Sequence, residues 1–276
     1  MVEKRMPPDQ VFITDSFSNP KMLVLAPGLE NFAQVEMFTG MDETNRKEFR
    51  VRAAAGPPLQ IADIQVPGVN GLDVGVAAPD TWYFLYLIDD TTGVNPLATL
   101  LSLSYGVGDV APPTLPAGYD LFKRIGAVHT HPSASPEEFI PMRKFGQFAL
   151  YGDVTDNLVF SGFGLLPGVF LPVDVSSRVP VTAERVLISV EMMSAEIPAP
   201  TPDYVEVFSE HQGPTQVGPT FFVRGWTGLL APPGVLDMNT VMGWCETGGF
   251  IYLRGTSTAF VNVYVHGYWE DDAPSI

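Results

Sequence analysis

Apolar residues recur along this chain in short runs broken by Gly, Pro, Asp and Asn, and most runs alternate or are continuous rather than helical in period. KMLVL (21–25) and QVEMFT (34–39) read as strands. DETNRKEFRVR (42–52) reads as a polar turn running into another. PPLQIADIQV (57–66) alternates through Leu59 and Ile61, then slips in phase to Ile64 and Val66. WYFLYLI (82–88) is the strongest local signal. A continuous aromatic and aliphatic run of that length predicts a strand buried on both faces, or one packed against another chain. Asp89-Asp90-Thr91-Thr92-Gly93 closes it as a hairpin turn, and LATLLSLSY (97–105) is the expected return strand.

Further strands are expected in FKRIGAVHTH (122–131), EEFIPMRKFGQFALYGD (137–153), NLVFSGFGLL (157–166), VTAERVLISVEMM (181–193), YVEVFSE (204–210), TFFVRGW (220–226), FIYLRG (250–255) and AFVNVYVHGYW (259–269). Alternation in the last places Val261, Val263 and Val265 on one face. Phe260, Asn262, Tyr264, His266 and Tyr268 fall on the other. The one helical candidate is a short helix near MNTVMGW (238–244). Frequent short strands with breakers between them predict an all-β fold of β-sandwich or jelly-roll units with little helix. The expected organisation is an extended, Pro-containing anchoring arm over 1–20, a β domain over 21–154 and a jelly-roll-like β domain over 155–276. GDVTDN marks the division.

Composition agrees with this pattern. Gly and Pro number 26 each, too frequent for long helices, while 46% hydrophobic residues are enough for a core. The 15 Lys and Arg against 31 Asp and Glu give a net charge of −16, which repels phosphate backbones and argues against nucleic-acid binding. The charge is uneven. Seven of the 15 basic residues fall in 1–52 (Lys4, Arg5, Lys21, Arg46, Lys47, Arg50, Arg52) and none in 53–122. The N-terminal segment is therefore the expected docking end. No apolar run is long enough for a membrane span, and the first residues lack the apolar stretch of a secretory signal, so synthesis in a cytoplasm is expected. A single cysteine, Cys245, forms no intramolecular disulfide and reads as a buried thiol.

Candidate chemistry is sparse. His129-Thr130-His131-Pro132 puts two histidines at i and i+2, a spacing that can share a metal on a strand. It is similar to the HxHP core of the JAMM metallopeptidases, in which a serine and an aspartate follow seven and ten positions after the second histidine. Those positions here hold Glu138 and Pro141; Ser135 and Glu138 keep the Ser-x-x-acid spacing but come three residues early. A strand end entering a turn accounts for the same residues. Asp153, Asp156 and Asn157 suit a turn better than a calcium loop. Adjacent acids such as Asp89-Asp90 point apart on a strand and cannot flank one substrate. No catalytic, cofactor-binding or metal-ligating residue is therefore assigned, and an enzyme is not expected. Trp226, Trp244, Tyr252, Tyr264, Tyr268 and Trp269 are candidate glycan or subunit-interface aromatics.

One stretch resembles a known family. Over 73–153 the chain runs through Trp82-Tyr83 and an aromatic strand, an Asp/Gly hairpin, Leu115-Pro116-Ala117-Gly118-Tyr119, Arg124-Ile125-Gly126-Ala127-Val128 and a strand bearing Gly146-Gln147-Phe148. This order resembles a β-module of tailed-bacteriophage virion proteins, found in tail fibres, other appendages and head decorations. Val179-Pro180-Val181-Thr182-Ala183 and Val265-His266-Gly267-Tyr268 resemble phage appendage β-domains more loosely. HTHP stands where that family carries a plain polar hairpin. The resemblance implies a virion structural protein that forms a homo-oligomer, with a trimer favoured, and meets other virion proteins through its N-terminal segment. A receptor-binding appendage that recognises host surface glycan is the alternative; a zinc hydrolase is the weaker one.

Overall fold

A computed structural model of the chain describes residues 21–24, 31–43, 46–51, 60–106, 111–132, 138–152, 157–163, 165, 168–193, 203–209, 221–225, 238–246, 249–255 and 260–270. The expected arm over 1–20, Trp226, Ser135, Asp153 and Asp156 lie outside these. Every regular element among the described residues is a strand, and the fold is all-β. In chain order the strands are β1 (Lys21–Val24), β2 (Phe32–Met41), β3 (Glu48–Val51), β4 (Gln60–Asp63), β5 (Gly71–Leu72), β6 (Trp82–Asp89), β7 (Ala98–Ser102), β8 (Leu121–His129) and β9 (Met142–Phe145). They continue with β10 (Phe148–Tyr151), β11 (Leu158–Phe163), β12 (Leu171–Asp174), β13 (Ala183–Met193), β14 (Asp203–Ser209), β15 (Phe221–Gly225), β16 (Met238–Glu246), β17 (Phe250–Gly255) and β18 (Phe260–Glu270).

These form three sheets. The largest has ten strands in the order β16-β13-β18-β10-β9-β1-β2-β3, with β11 also on β18 and β4 also on β2. A second runs β12-β17-β14-β15 and a third β5-β7-β6-β8. All pairings are antiparallel except β5 with β7. The large sheet carries strands from both sides of residues 154–155. Along one edge of β18, β11 pairs with Phe260–Tyr264 and β10 with Gly267–Trp269.

The run at 82–88 is buried on both faces, as its lack of alternation predicts. Tyr83, Leu85 and Leu87 enter the main core, which also holds the buried residues of the large sheet. Phe84, Tyr86 and Ile88 form a second, smaller core with Ala98, Leu100 and Ala127. β7 is the expected return strand, pairing Ile88 with Ala98 and Phe84 with Ser102. The intervening turn is held by Asp90, whose carboxylate accepts the backbone N–H groups of Gly93, Val94 and Asn95 and the Thr92 hydroxyl.

Two expectations are corrected. Residues 238–246 form β16, not a helix. All nine residues pair with β13, from Met238 opposite Met193 to Glu246 opposite Arg185. A ready ladder partner outweighs the weak helical propensity of a short segment holding Asn, Thr, Val and Gly. On β18 the alternation breaks. Leu187 faces Gly267 but Ile188 faces Val265, so the register slips by one residue at His266. A bulge moves every later side chain to the opposite face. Tyr268 therefore joins Val261, Val263 and Val265 in the main core, fully buried, instead of sharing the face of Tyr264.

Candidate functional site

Trp82, Gly126 and the HTHP motif lie where β6 and β8 meet β9, β10 and β18. β8 ends at His129, which is buried and stacks on Trp82 with ring centroids 4.6 Å apart. Trp82 in turn meets the edge of Tyr268 at 5.8 Å, and its indole N–H donates to the Ser176 carbonyl at 3.1 Å. His129 Nε2 lies 3.5 Å from Asp80 Oδ1, while its buried Nδ1 has no hydrogen-bond partner. Burial pushes the imidazole down to about 4; the Asp80 carboxylate opposes this and the Arg178 guanidinium adds to it.

The rest of HTHP is tied to neighbouring backbone. The Thr130 hydroxyl donates to the Ala78 carbonyl at 2.7 Å and accepts the Thr81 N–H at 2.9 Å. The His131 N–H donates to the carbonyl of Glu138, a residue whose side chain is exposed. Among the described residues no group of three or more His, Cys, Asp or Glu is placed to hold a metal ion. The motif secures the exit of β8 to the entry of β6.

Other motif residues fill packing and turn positions. The Tyr83 hydroxyl accepts the Ala78 N–H at 2.8 Å. Leu115 and Tyr119 pack on the second core. Pro116 O accepts the Tyr119 N–H at 3.1 Å, and Gly118 turns the chain at φ 89° while its carbonyl accepts the Asn95 amide at 2.9 Å. That φ is a conformation glycine adopts without Cβ strain. The Arg124 guanidinium donates to the Tyr105 carbonyl at 3.3 Å. Gly126 leaves room for Lys144, since a Cβ there would stand 2.9 Å from Lys144 Cδ.

Lys144 belongs to an ion cluster of which the sequence motifs name Arg124 and Thr182 but neither Lys144 nor Glu270. On β9, Met142 and Lys144 point inward while Arg143 and Phe145 point outward. Lys144 Nζ meets Glu270 Oε2 at 2.6 Å. Glu270 Oε1 accepts the Thr182 hydroxyl at 2.6 Å and lies 3.7 Å from the Arg124 guanidinium. Burial pushes the Glu270 carboxyl up, but Lys144, Arg124 and Thr182 together outweigh it and hold the group below the usual carboxylate range. Nearby, the buried Tyr268 hydroxyl donates to the Ala127 carbonyl at 3.0 Å, satisfying a buried backbone acceptor on β8. The signal for Lys144 was its phase, a lysine two positions from a core methionine on a strand.

The four candidate aromatics whose side chains are described do not gather into one cleft. Tyr252 is half-buried on β17, paired with Pro172 and Phe208. Tyr264 and Trp269 are half-buried on β18, with Tyr268 in the core behind them. Trp269 packs edge to face with the exposed Phe148 at 4.1 Å. Trp244 lies on β16 opposite Leu187; its side chain is outside the described residues, as is that of Cys245.

The class these features define is an all-β protein whose motif residues serve packing, turns and a buried ion cluster. No family model matches the chain, and no curated protein matches it.

Proposed function

We propose that this chain is a structural protein of a tailed-phage virion, a tail-fibre, appendage or capsid-decoration component, made in the host cytoplasm and built into the particle. The observation that carries this reading is the use made of the motif residues. Trp82, Tyr83, Leu115, Gly118, Tyr119 and Gly126 are packing or turn residues in one small sheet and its covering loop. A motif made of such residues marks a fold module, not a catalytic site, and its resemblance to virion β-modules is what points to assembly. On this reading the chain acts by burying surface against neighbouring copies and other virion proteins, with no enzymatic role and no cofactor.

Quantitative mass spectrometry of purified particles of the encoding phage tests the reading. The chain is expected at fixed stoichiometry with the other virion proteins, and labelled particles viewed by electron microscopy are expected to locate it. Its absence from mature particles overturns the proposal. The receptor-binding alternative has its own test, a glycan array probed with the purified chain.

A further inference from the structure

One strip on the outer face of the large sheet is apolar where an antiparallel sheet facing water is normally polar. Three aromatic residues stand in register across adjacent strands: Phe145 on β9 opposite Phe148 on β10, and Phe148 opposite Trp269 on β18. Leu150 extends the strip two positions along β10. Phe145 is 47% exposed, Phe148 38% and Leu150 39%. Behind them Met142, Lys144, Ala149 and Tyr268 point the other way into the interior. The strip is therefore not the rim of the main core.

Its β1 side is basic: the exposed Arg143 lies opposite Leu150, and Lys21 pairs with Phe145. On its β13 side the exposed Arg185 pairs with Trp269 and, across the strand, with Glu246 of β16. These bases are notable in a chain with 15 basic and 31 acidic residues. Two copies meeting face to face through this strip would oppose arginines, so the charge argues against self-complementary pairing. The same chain carries a surface of the opposite kind. Residues 53–122 hold seven Asp and no Lys or Arg. Within them, the stretch from β4 to β6 exposes Val66, Val69, Val74 and Val76, the last two at 55% and 86%, beside Asp73 and Asp80.

We infer that copies of this chain associate head to tail, the arginine-flanked Phe145–Phe148–Trp269 strip of one copy docking on the acidic valine-bearing loop at 65–80 of the next. Such a heterologous contact generates a ring when the rotation closes and a filament when it does not. The apolar centre supplies the burial and the charged flanks set the pairing. The inference deepens the assembly reading above by naming its self-contact.

The test uses the full chain and analytical ultracentrifugation over a range of concentrations and salt. The wild type is expected to associate reversibly above its 30.0 kDa monomer mass, and less at high salt. Phe145→Thr with Phe148→Thr keeps β-forming residues on the strands and is expected to weaken association by about 30-fold or more. Val74→Lys with Val76→Lys is expected to do the same from the other side. Mixed one to one, the two double variants retain one intact strip and one intact loop between them, so they form a complex of two chains and nothing larger. Arg143→Glu with Arg185→Glu, at exposed positions, gives the same loss should the threonine variant fold poorly by circular dichroism.

A wild type that stays monomeric overturns the inference, including one that instead binds an anionic glycan through Phe148. So does association that survives the strip variants, or association that the loop variant leaves intact. Absence from particles removes the virion reading and leaves this result standing; a monomeric chain found in particles does the reverse.

Discussion

Lys144 and Glu270, 126 positions apart, meet at 2.6 Å with each side chain 1% exposed. The pair ties β9 to the end of β18 inside the protein. Breaking such a pair leaves an uncompensated buried charge, which commonly costs about 3–5 kcal/mol. Lys144→Met is expected to fall in that range by urea denaturation. Replacing both residues with apolar ones, Lys144→Met with Glu270→Leu, is expected to cost at least about 1 kcal/mol less than the sum of the single changes. Additivity would show that the two side chains do not act as a pair.

Gly267 sits where β10 approaches β18. A Cβ at this position would lie 2.1 Å from the Ala149 carbonyl oxygen, and that oxygen belongs to backbone that cannot swing away. Gly267→Ala is expected to destabilise the fold by on the order of 3 kcal/mol, since relief requires β10 to move from its pairing strand. Thermal unfolding followed by circular dichroism measures this. An unchanged midpoint would contradict the β10–β18 register.

Stability is expected to fall on mild acidification. The His129 pKa is depressed by burial to about 4 in the folded chain, against about 6.5 unfolded. Between those values the unfolded state binds the proton and the folded state does not. Stability therefore declines as pH falls from about 6.5 to about 4, by up to about 3 kcal/mol. Burial lowers His266 too, and adds in the same direction. Glu270, held below its usual range, adds stability above about 4.5 that is lost as pH falls through its folded pKa. His129→Phe is expected to flatten the slope between pH 6.5 and 4.5. Denaturation midpoints at several pH values check this, and an unaltered slope would show that His129 does not cause it.

Tyr268→Phe isolates one hydrogen bond. The ring keeps its packing while the Ala127 carbonyl loses its buried donor, a loss of about 1–2 kcal/mol. Hydrogen exchange along β8 is expected to speed near Ala127. Unchanged exchange would mean that water reaches that carbonyl in the wild type.

Where short-range pattern decides structure, the sequence was legible. The all-β class followed from the spacing of breakers, and the two-faced burial of β6 from its unbroken apolar run. The Asp90 turn followed from turn chemistry. Tyr268 and β16 were misread because their states depend on partners. A one-residue slip against β13 reverses the face of Tyr268, and a nine-residue ladder on the same strand overrides the local preference of 238–246.

The pattern of the sequence by itself determined that strands would form and that β6 would be buried on both faces. Tertiary structure decided what those strands meet. It brought Lys144, Arg124, Thr182 and Glu270 to one buried point, stacked His129 of the HTHP motif on Trp82, and set Phe145, Phe148 and Trp269 side by side on an outer face. Periodicity is a property of one strand. Register and burial of charge arise between strands far apart in the chain, and no local pattern encodes which of them will pair.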